Sequence, residues 1–420
     1  MKISIGNIFK GDKVIWMIFF FLCIISILEV FSSSSSLTYD KASYWGPVFK
    51  HTAILLVGIF LMVIVQNIDC KYFKIATPFL LIFSVLTLIW VLAAGQSTNG
   101  AQRWVSLFGI QFQPSEIAKG TIVLAVAQIL SAMQTEDGTE ENTFRHIMLT
   151  SCPLLLLIVF ENLSTAMLIG MVVVGMMFFG QVSLKTLGKL LGGFALFVVI
   201  MLALVLLVGR AEEKPNDRQN LTEQVEGAER NTSPSVIEKI FHRADTWKGR
   251  ILKFVNSEEV TPDKFDLDED SQIGHANIAI ASSEIVGKGP GNSEERDMLP
   301  QAFSDFIYAI IIEELGLAGG ILVMLLYIFL LFRAGRIADR CVNAFPAFLV
   351  MGLALLLVSQ AMFNMLVAVG LAPVTGQPLP LISKGGTSTI INCIYIGVIL
   401  SVSISAKKRN TLENLGVEKL

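Results

Sequence analysis

The stretch at 301–320, "QAFSDFIYAIIIEELGLAGG", sets one aspartate, Asp305, at the head of an apolar run and two glutamates, Glu313 and Glu314, inside it. A carboxylate in hydrocarbon is costly and faces a partner or a water-filled cavity. At the outer end of a helix it can serve as a general base, or it can cap the helix, for which Ser304 is an equally good residue. The glutamates do not complete a two-carboxylate hydrolase pair with Asp305. At ~1.5 Å rise per residue they lie roughly 12–13 Å deeper, beyond the ~5–9.5 Å that such a pair needs. They read instead as hydrogen-bonding posts that hold neighbouring helices.

Two further groups of residues carry polar chemistry. "NGAQRWVSLFGIQFQPSEIAKG" (99–120) opens with turn residues and continues with Arg103 and Trp104, an interface pair. Gln113, Pro114 and Ser115 mark a helix start, with Glu116 in the first turn, where a carboxylate suits the helix dipole. Lys119 follows at i+3, so the two share a helix face and can pair. "LAPVTGQPLPLISKGGTST" (371–389) holds three prolines and three glycines, which no regular span accommodates. Irregular backbone at membrane depth survives only where protein covers it or water fills a cavity. Ser383, Gly385 and Gly386 lie here, the glycines permitting close approach to a ligand, and Asn364 sits just before. A rigid tight loop is the competing reading. "GKGPGNS" (287–293) lacks the strand and the Lys-Ser/Thr ending of a phosphate loop and reads as a turn.

These residues need a scaffold, and composition says which. The chain is 420 residues long, 53% hydrophobic and only 16% charged, with a mean hydropathy of +0.64. Spanning hydrocarbon takes ~20 apolar residues as a helix. Apolar blocks at 14–31, 52–65, 77–94, 116–133, 147–160, 163–180, 187–208, 304–332, 343–370 and 387–405 predict about ten transmembrane helices and an all-α polytopic membrane protein. The run at 147–180 is broken only by "ENLS" (161–164), and its length fits two spans better than one. The first apolar block exceeds the h-region of a cleavable signal. Residues 1–208 are expected to hold helices one to seven, with an outer re-entrant or amphipathic segment at 95–115; 209–303 form a large extracytoplasmic loop; 304–420 hold helices eight to ten and a tail. An amphipathic surface helix is expected at 235–255.

Lys2, Lys10, Lys13, Lys71, Lys74, Lys185, Lys189, Arg333, Arg336, Arg340, Lys407, Lys408 and Arg409 fall on one side if both termini are cytoplasmic. The five cysteines and four histidines show no metal spacing and no external disulfide pair. Nothing points to nucleic acid.

Together the three groups resemble the SEDS (shape, elongation, division, sporulation) family of bacterial cell-wall polymerases. The resemblance runs through Asn99 to Trp104, Gln113 to Lys119, Leu299 to Ala309, Glu313 to Gly316 and Pro373 to Ser388. The glycine pattern before the aspartate resembles the division member more than the elongation member. The chain departs from the family pattern at Asn162, where an acid is usual, at Gln301 and Phe303, where Glu and His are usual, and at Lys384, where Tyr is usual.

The resemblance implies a SEDS-type fold and a peptidoglycan glycosyltransferase of the inner membrane, acting on lipid II at the division septum. Its partners would be a class B penicillin-binding protein and other division proteins. Asp305 would be the general base that takes the proton of the acceptor hydroxyl; pyrophosphate leaves well without an acid, so one carboxylate suffices. Arg103 and Lys119 would hold the pyrophosphate, with Glu116 positioning Lys119 or orienting Asp305. Gln113, Asn364, Ser383, Gly385 and Gly386 would line the substrate site. A divalent cation such as Mg²⁺ or Mn²⁺ at Asp305 stays open, with no ligand set in the sequence. Two other classes share the same scaffold: a lipid II flippase, which needs charges through the full depth, and a non-catalytic division scaffold, which tolerates loss of Asp305.

Overall fold

The structure is a computed structural model that describes residues 9–34, 45–94, 96–98, 101–107, 110–136, 138–193, 271–299 and 303–414. The chain divides into two units, the first comprising Met1–Leu187, Asp266–Leu371 and Thr375–Leu420. Of the second unit only 188–193 and 372–374 are described. The expected surface helix at 235–255 and most of the loop at 209–303 lie outside the described residues.

Long apolar runs must satisfy their own backbone in hydrocarbon, so they become helices. In order these are α1 (Lys13–Ser34), α2 (Trp45–Val65) and α3 (Cys70–Ala94), then α4 (Pro114–Ala132), α5 (Thr143–Glu161), α6 (Leu163–Phe179) and α7 (184–193). After the large loop come α8 (Ser271–Ala281), α9 (Ile307–Ala338), α10 (Ala344–Ala368) and α11 (Thr387–Asn414). Eight of the described helices are long and apolar enough to cross a membrane, and α6 is a shorter apolar helix. The predicted seventh span, 187–208, is described only as far as residue 193.

The run at 147–180 is two helices, as its length suggests. Asn162 breaks it: its backbone is extended, and its carboxamide accepts from the amides of Ser164 (3.0 Å) and Thr165 (3.4 Å), capping α6. Here the family departure leaves an effective cap.

Between α3 and α4 the chain forms strands β1 (Gln96–Thr98), β2 (Ala101–Leu107) and β3 (Ile110–Phe112). They pair antiparallel, Thr98 opposite Ala101 and Leu107 opposite Ile110. The sequence reading gave this segment no strands. A second, two-stranded ribbon joins β4 (Gln134–Thr135) and β5 (Gly138–Thr139).

The inner helices are α4, α10 and α11, whereas α2, α3 and α5 turn wide faces outward. α4 packs on α3, α5, α6 and α10; α10 packs on α4, α6, α9 and α11. Exposed Phe79, Ile82 and Leu86 on α3 and Phe329 and Phe332 on α9 suit a lipid-facing surface.

The start of α1, the α2–α3 turn and the ends of α9 and α11 meet at one end. Arg333 Nη2 lies 2.6 Å from Asp12 Oδ2, the Asp12 amide donates to Ser403 Oγ (3.0 Å), and Ser401 Oγ donates to the Ile68 carbonyl (2.5 Å).

The candidate active site

The site is built on α10. Gln360 and Asn364 stand one helical turn apart on it, both buried. Gln360 Oε1 accepts from Lys119 Nζ (2.8 Å) on α4, and its Nε2 donates to the carbonyl of Pro378 (2.9 Å). Asn364 Nδ2 donates to the carbonyls of Asp305 and Gln377, both at 2.8 Å. Two amides on one helix face thus join the three groups of residues that the sequence singled out. Gln360 was missed by sequence reasoning; an isolated glutamine inside a span was its only signal.

Glu116 and Lys119 pair as their spacing predicts, Nζ to Oε1 at 2.8 Å, both buried. Glu116 Oε2 is buried with no hydrogen-bond partner. Tyr395 of α11 bridges this turn of α4: its hydroxyl donates to the Glu116 carbonyl (2.5 Å) and accepts from the Gly120 amide (3.0 Å). A Cβ at residue 120 would sit 2.5 Å from the tyrosine ring, so only glycine admits it.

The segment 375–386 is non-helical, and its carbonyls are held by side chains from several helices. Besides Gln360 and Asn364, Tyr327 of α9 donates to the Pro380 carbonyl. Ser26 of α1, itself bonded to His51 Nε2 of α2 (2.8 Å), donates to the Ile382 carbonyl (2.7 Å). Ser383 Oγ donates to the Ser304 carbonyl and accepts from the Leu379 amide, both at 2.7 Å. Unpaired carbonyls here would be expensive, and the two prolines remove amides that would otherwise need acceptors.

Asp305 lies in the turn before α9, half-buried. The N-cap position is Phe306, so neither Ser304 nor Asp305 occupies it, contrary to the capping reading. Ser304 Oγ donates to Asp305 Oδ1 (3.0 Å). The Lys384 amide donates to the Phe303 carbonyl (3.0 Å), so this bond and that of Ser383 Oγ tie residues 383–384 to 303–304.

Gln113 precedes α4 and donates to Ser115 Oγ (3.0 Å). Arg103 lies on β2, which packs against α4, and its side chain is outside the described residues. Gly386 has φ +51 with open space beside it. Gly385 is half-buried at the head of α11, its carbonyl accepting from Ser388 Oγ (2.8 Å).

Glu313 and Glu314 hold more than helices. Glu314 accepts from Ser32 of α1. Glu313 is fully buried and takes Lys288 Nζ (2.8 Å), Ser293 Oγ and the Glu294 amide (3.1 Å), all from the strap 284–299. The Glu313 hydrogen bond holds the Lys288 ammonium above the ordinary lysine range. Among the described residues no group of three His, Cys, Asp or Glu side chains could hold a metal ion.

Residues 12–222 and 231–408 match the family model described as cell cycle protein, that of FtsW, RodA and SpoVE. The probable peptidoglycan glycosyltransferase FtsW of Hahella chejuensis is 30% identical over 395 residues, covering 92% of this chain and 88% of its own. The peptidoglycan glycosyltransferase MrdB of Escherichia coli is 27% identical over 398 residues, 94% of each chain. The fold is shared with a chain of a peptidoglycan synthase complex said to coordinate polymerization and crosslinking (TM-score 0.68, 21% identity, 94% of this chain and 98% of that one). It is also shared with Thermus thermophilus RodA, a rod shape determining protein (TM-score 0.62, 21% identity, 94% and 98%).

Proposed function

This chain belongs to the cell cycle protein family of FtsW, RodA and SpoVE, the SEDS family, and from that premise we propose a peptidoglycan glycosyltransferase that polymerises lipid II with Asp305 as general base. One observation carries the reading: Gln360 and Asn364 tie the Asp305 turn, the Glu116–Lys119 pair and the 377–383 segment into one hydrogen-bonded body. The acceptor hydroxyl gives its proton to the Asp305 carboxylate as its oxygen attacks the anomeric carbon. The bond from that carbon to pyrophosphate breaks, and undecaprenyl pyrophosphate leaves.

Lys119 enters this chemistry differently from the sequence expectation. Glu116 and Gln360 take two of its three N–H groups, and Glu116 neutralises its charge. We assign it to positioning α4 against α10, and keep Arg103 on β2 as one contact for the pyrophosphate. The division role is supported by the glycine pattern before Asp305 and by 30% identity to the FtsW of Hahella chejuensis against 27% to MrdB. A crosslinking partner of the class B penicillin-binding type is supported by the synthase complex that shares the fold. We place both termini in the cytoplasm and Asp305 at the outer face.

The test is Asp305→Asn. Asparagine preserves shape and cannot accept a proton at neutral pH. General-base catalysis is worth ~10²–10⁴-fold, so chain formation from lipid II should fall by at least ~10²-fold with an unchanged melting temperature. Equal polymer yield from the two proteins, with partner present, returns the chain to the flippase or scaffold reading.

A further inference from the structure

Lys384 is a departure from the family pattern, and its backbone is bonded to the turn that carries Asp305. Its amide is bonded to the Phe303 carbonyl (3.0 Å), two residues before Asp305 in the chain. Its ammonium lies 5.0 Å from the centroid of the Phe303 ring, within cation–π range. Phe303 is itself a departure, so the two unusual residues touch.

Lys384 is half-buried, and among the described residues no carboxylate pairs with it. The charges that do act on it are of its own sign: Lys50, near the outer end of α2, repels it. His51 lies in the same field. A half-buried ammonium with a like charge nearby and no counter-ion is an unmet demand for an anion. The next elements suit one. Gly385 and Gly386 lead directly into α11, whose N-terminal amides carry the positive end of the helix dipole. Thr387 Oγ1, at the first position of that helix, is buried with no hydrogen-bond partner. By contrast, the Lys119 charge is neutralised by Glu116.

We propose that Lys384 binds the lipid-linked diphosphate of the substrate, with the Thr387 hydroxyl and the head of α11 completing the anion site. Phe303 holds the ammonium in place without neutralising it, which a carboxylate would do. The inference rests on the glycosyltransferase reading, because that reaction needs a cation where the diphosphate departs, near the base.

The probe is undecaprenyl pyrophosphate, titrated against the full chain in zwitterionic nanodiscs. The chain is compared with Lys384→Gln, Lys384→Arg and Lys384→Tyr. A charge-assisted hydrogen bond is worth about ten- to a hundredfold in affinity. Lys384→Gln and Lys384→Tyr should bind that much more weakly, Lys384→Arg should stay near wild type, and melting temperatures should not differ. KM for lipid II should rise in the same two variants. Wild-type affinity in Lys384→Gln overturns the proposal and leaves Lys384 a stacking residue. Displacement by phosphatidylglycerol as readily as by undecaprenyl pyrophosphate also overturns it, in favour of a general anionic-lipid contact. A wild type that neither binds the probe nor polymerises lipid II overturns the glycosyltransferase reading itself.

Discussion

At the scale of single residues, the site depends on side chains that both give and accept. Gln360 must accept from Lys119 and donate to Pro378, which an amide does and a carboxylate does not at neutral pH. Gln360→Met keeps the length and removes both bonds. It should slow polymerisation of lipid II about tenfold or more, by the worth of a lost hydrogen bond to a charged group; unchanged turnover would make Gln360 mere filling. The Glu116–Lys119 pair was legible in the sequence because i,i+3 spacing is a local rule. Gln360 was not, because its partners lie 241 and 18 residues away. At the opposite end, Asp12 gives a pH signature. Burial pushes its carboxyl up, but the hydrogen bond and charge of Arg333, with the Ile15 and Val14 amides, hold it below the ordinary 3.8. Stability from this pair is complete above that value and disappears as pH falls through the lower, folded-state one. The melting-temperature gap between wild type and Asp12→Asn should therefore be constant near neutrality and close only in strongly acidic buffer.

At the scale of elements, α9 is two helices joined at Gly316, whose φ of 74° and ψ of 178° belong to a region open essentially to glycine alone. The strap fills the break. Leu317 and Ala318 donate to the carbonyls of Glu284 (3.2 Å) and Ile285 (3.3 Å), while Lys288 and Gly289 donate to those of Glu313 and Glu314, each at 2.9 Å. Every backbone group freed by the break on these residues is met by the strap. The sequence showed the apolar run and its two glutamates but not the break, because a 32-residue helix and two shorter ones share one hydropathy profile. Strands β1 to β3 were hidden for a related reason: three to seven residues are too few for alternation to stand out beside long spans. A Cβ at residue 316 would lie 2.2 Å from the Ile285 carbonyl. Gly316→Ala should destabilise the protein by about 2 kcal/mol or more, seen as a lower melting temperature in detergent. Gly335→Ala, on the same helix with only Met351 Sδ at 4.0 Å, should melt no lower than wild type.

At the scale of the whole molecule, the order of spans was legible because hydropathy is additive along the chain. The convergence of α1, α9 and α10 on the segment 377–382 was not, because the donors meet their carbonyls at separations of 13 to 356 residues that follow no helical period. The proposed orientation rests on the ends. Lys10, Asp12, Asn67, Arg333 and Ser403 gather at one end through direct hydrogen bonds, and Lys and Arg dominate the short loops there, as expected of a cytoplasmic end. Asp305 and the strap belong to the other end, since α9 runs from one to the other. Thiol labelling tests this arrangement, but the native Cys341 is a poor reporter. Burial, with Cys70 nearby, pushes its thiol up to about 12, and only the thiolate reacts. Val342 beside it is 59% exposed and Met298 on the strap is 64% exposed, so each can carry an accessible cysteine. In intact cells or sealed right-side-out vesicles, a membrane-impermeant maleimide should label Met298→Cys at once. It should label Val342→Cys only after the membrane is permeabilised. The opposite pattern would invert the topology and put Asp305 on the side of the cytoplasm, where a polymerase building extracellular glycan has no acceptor.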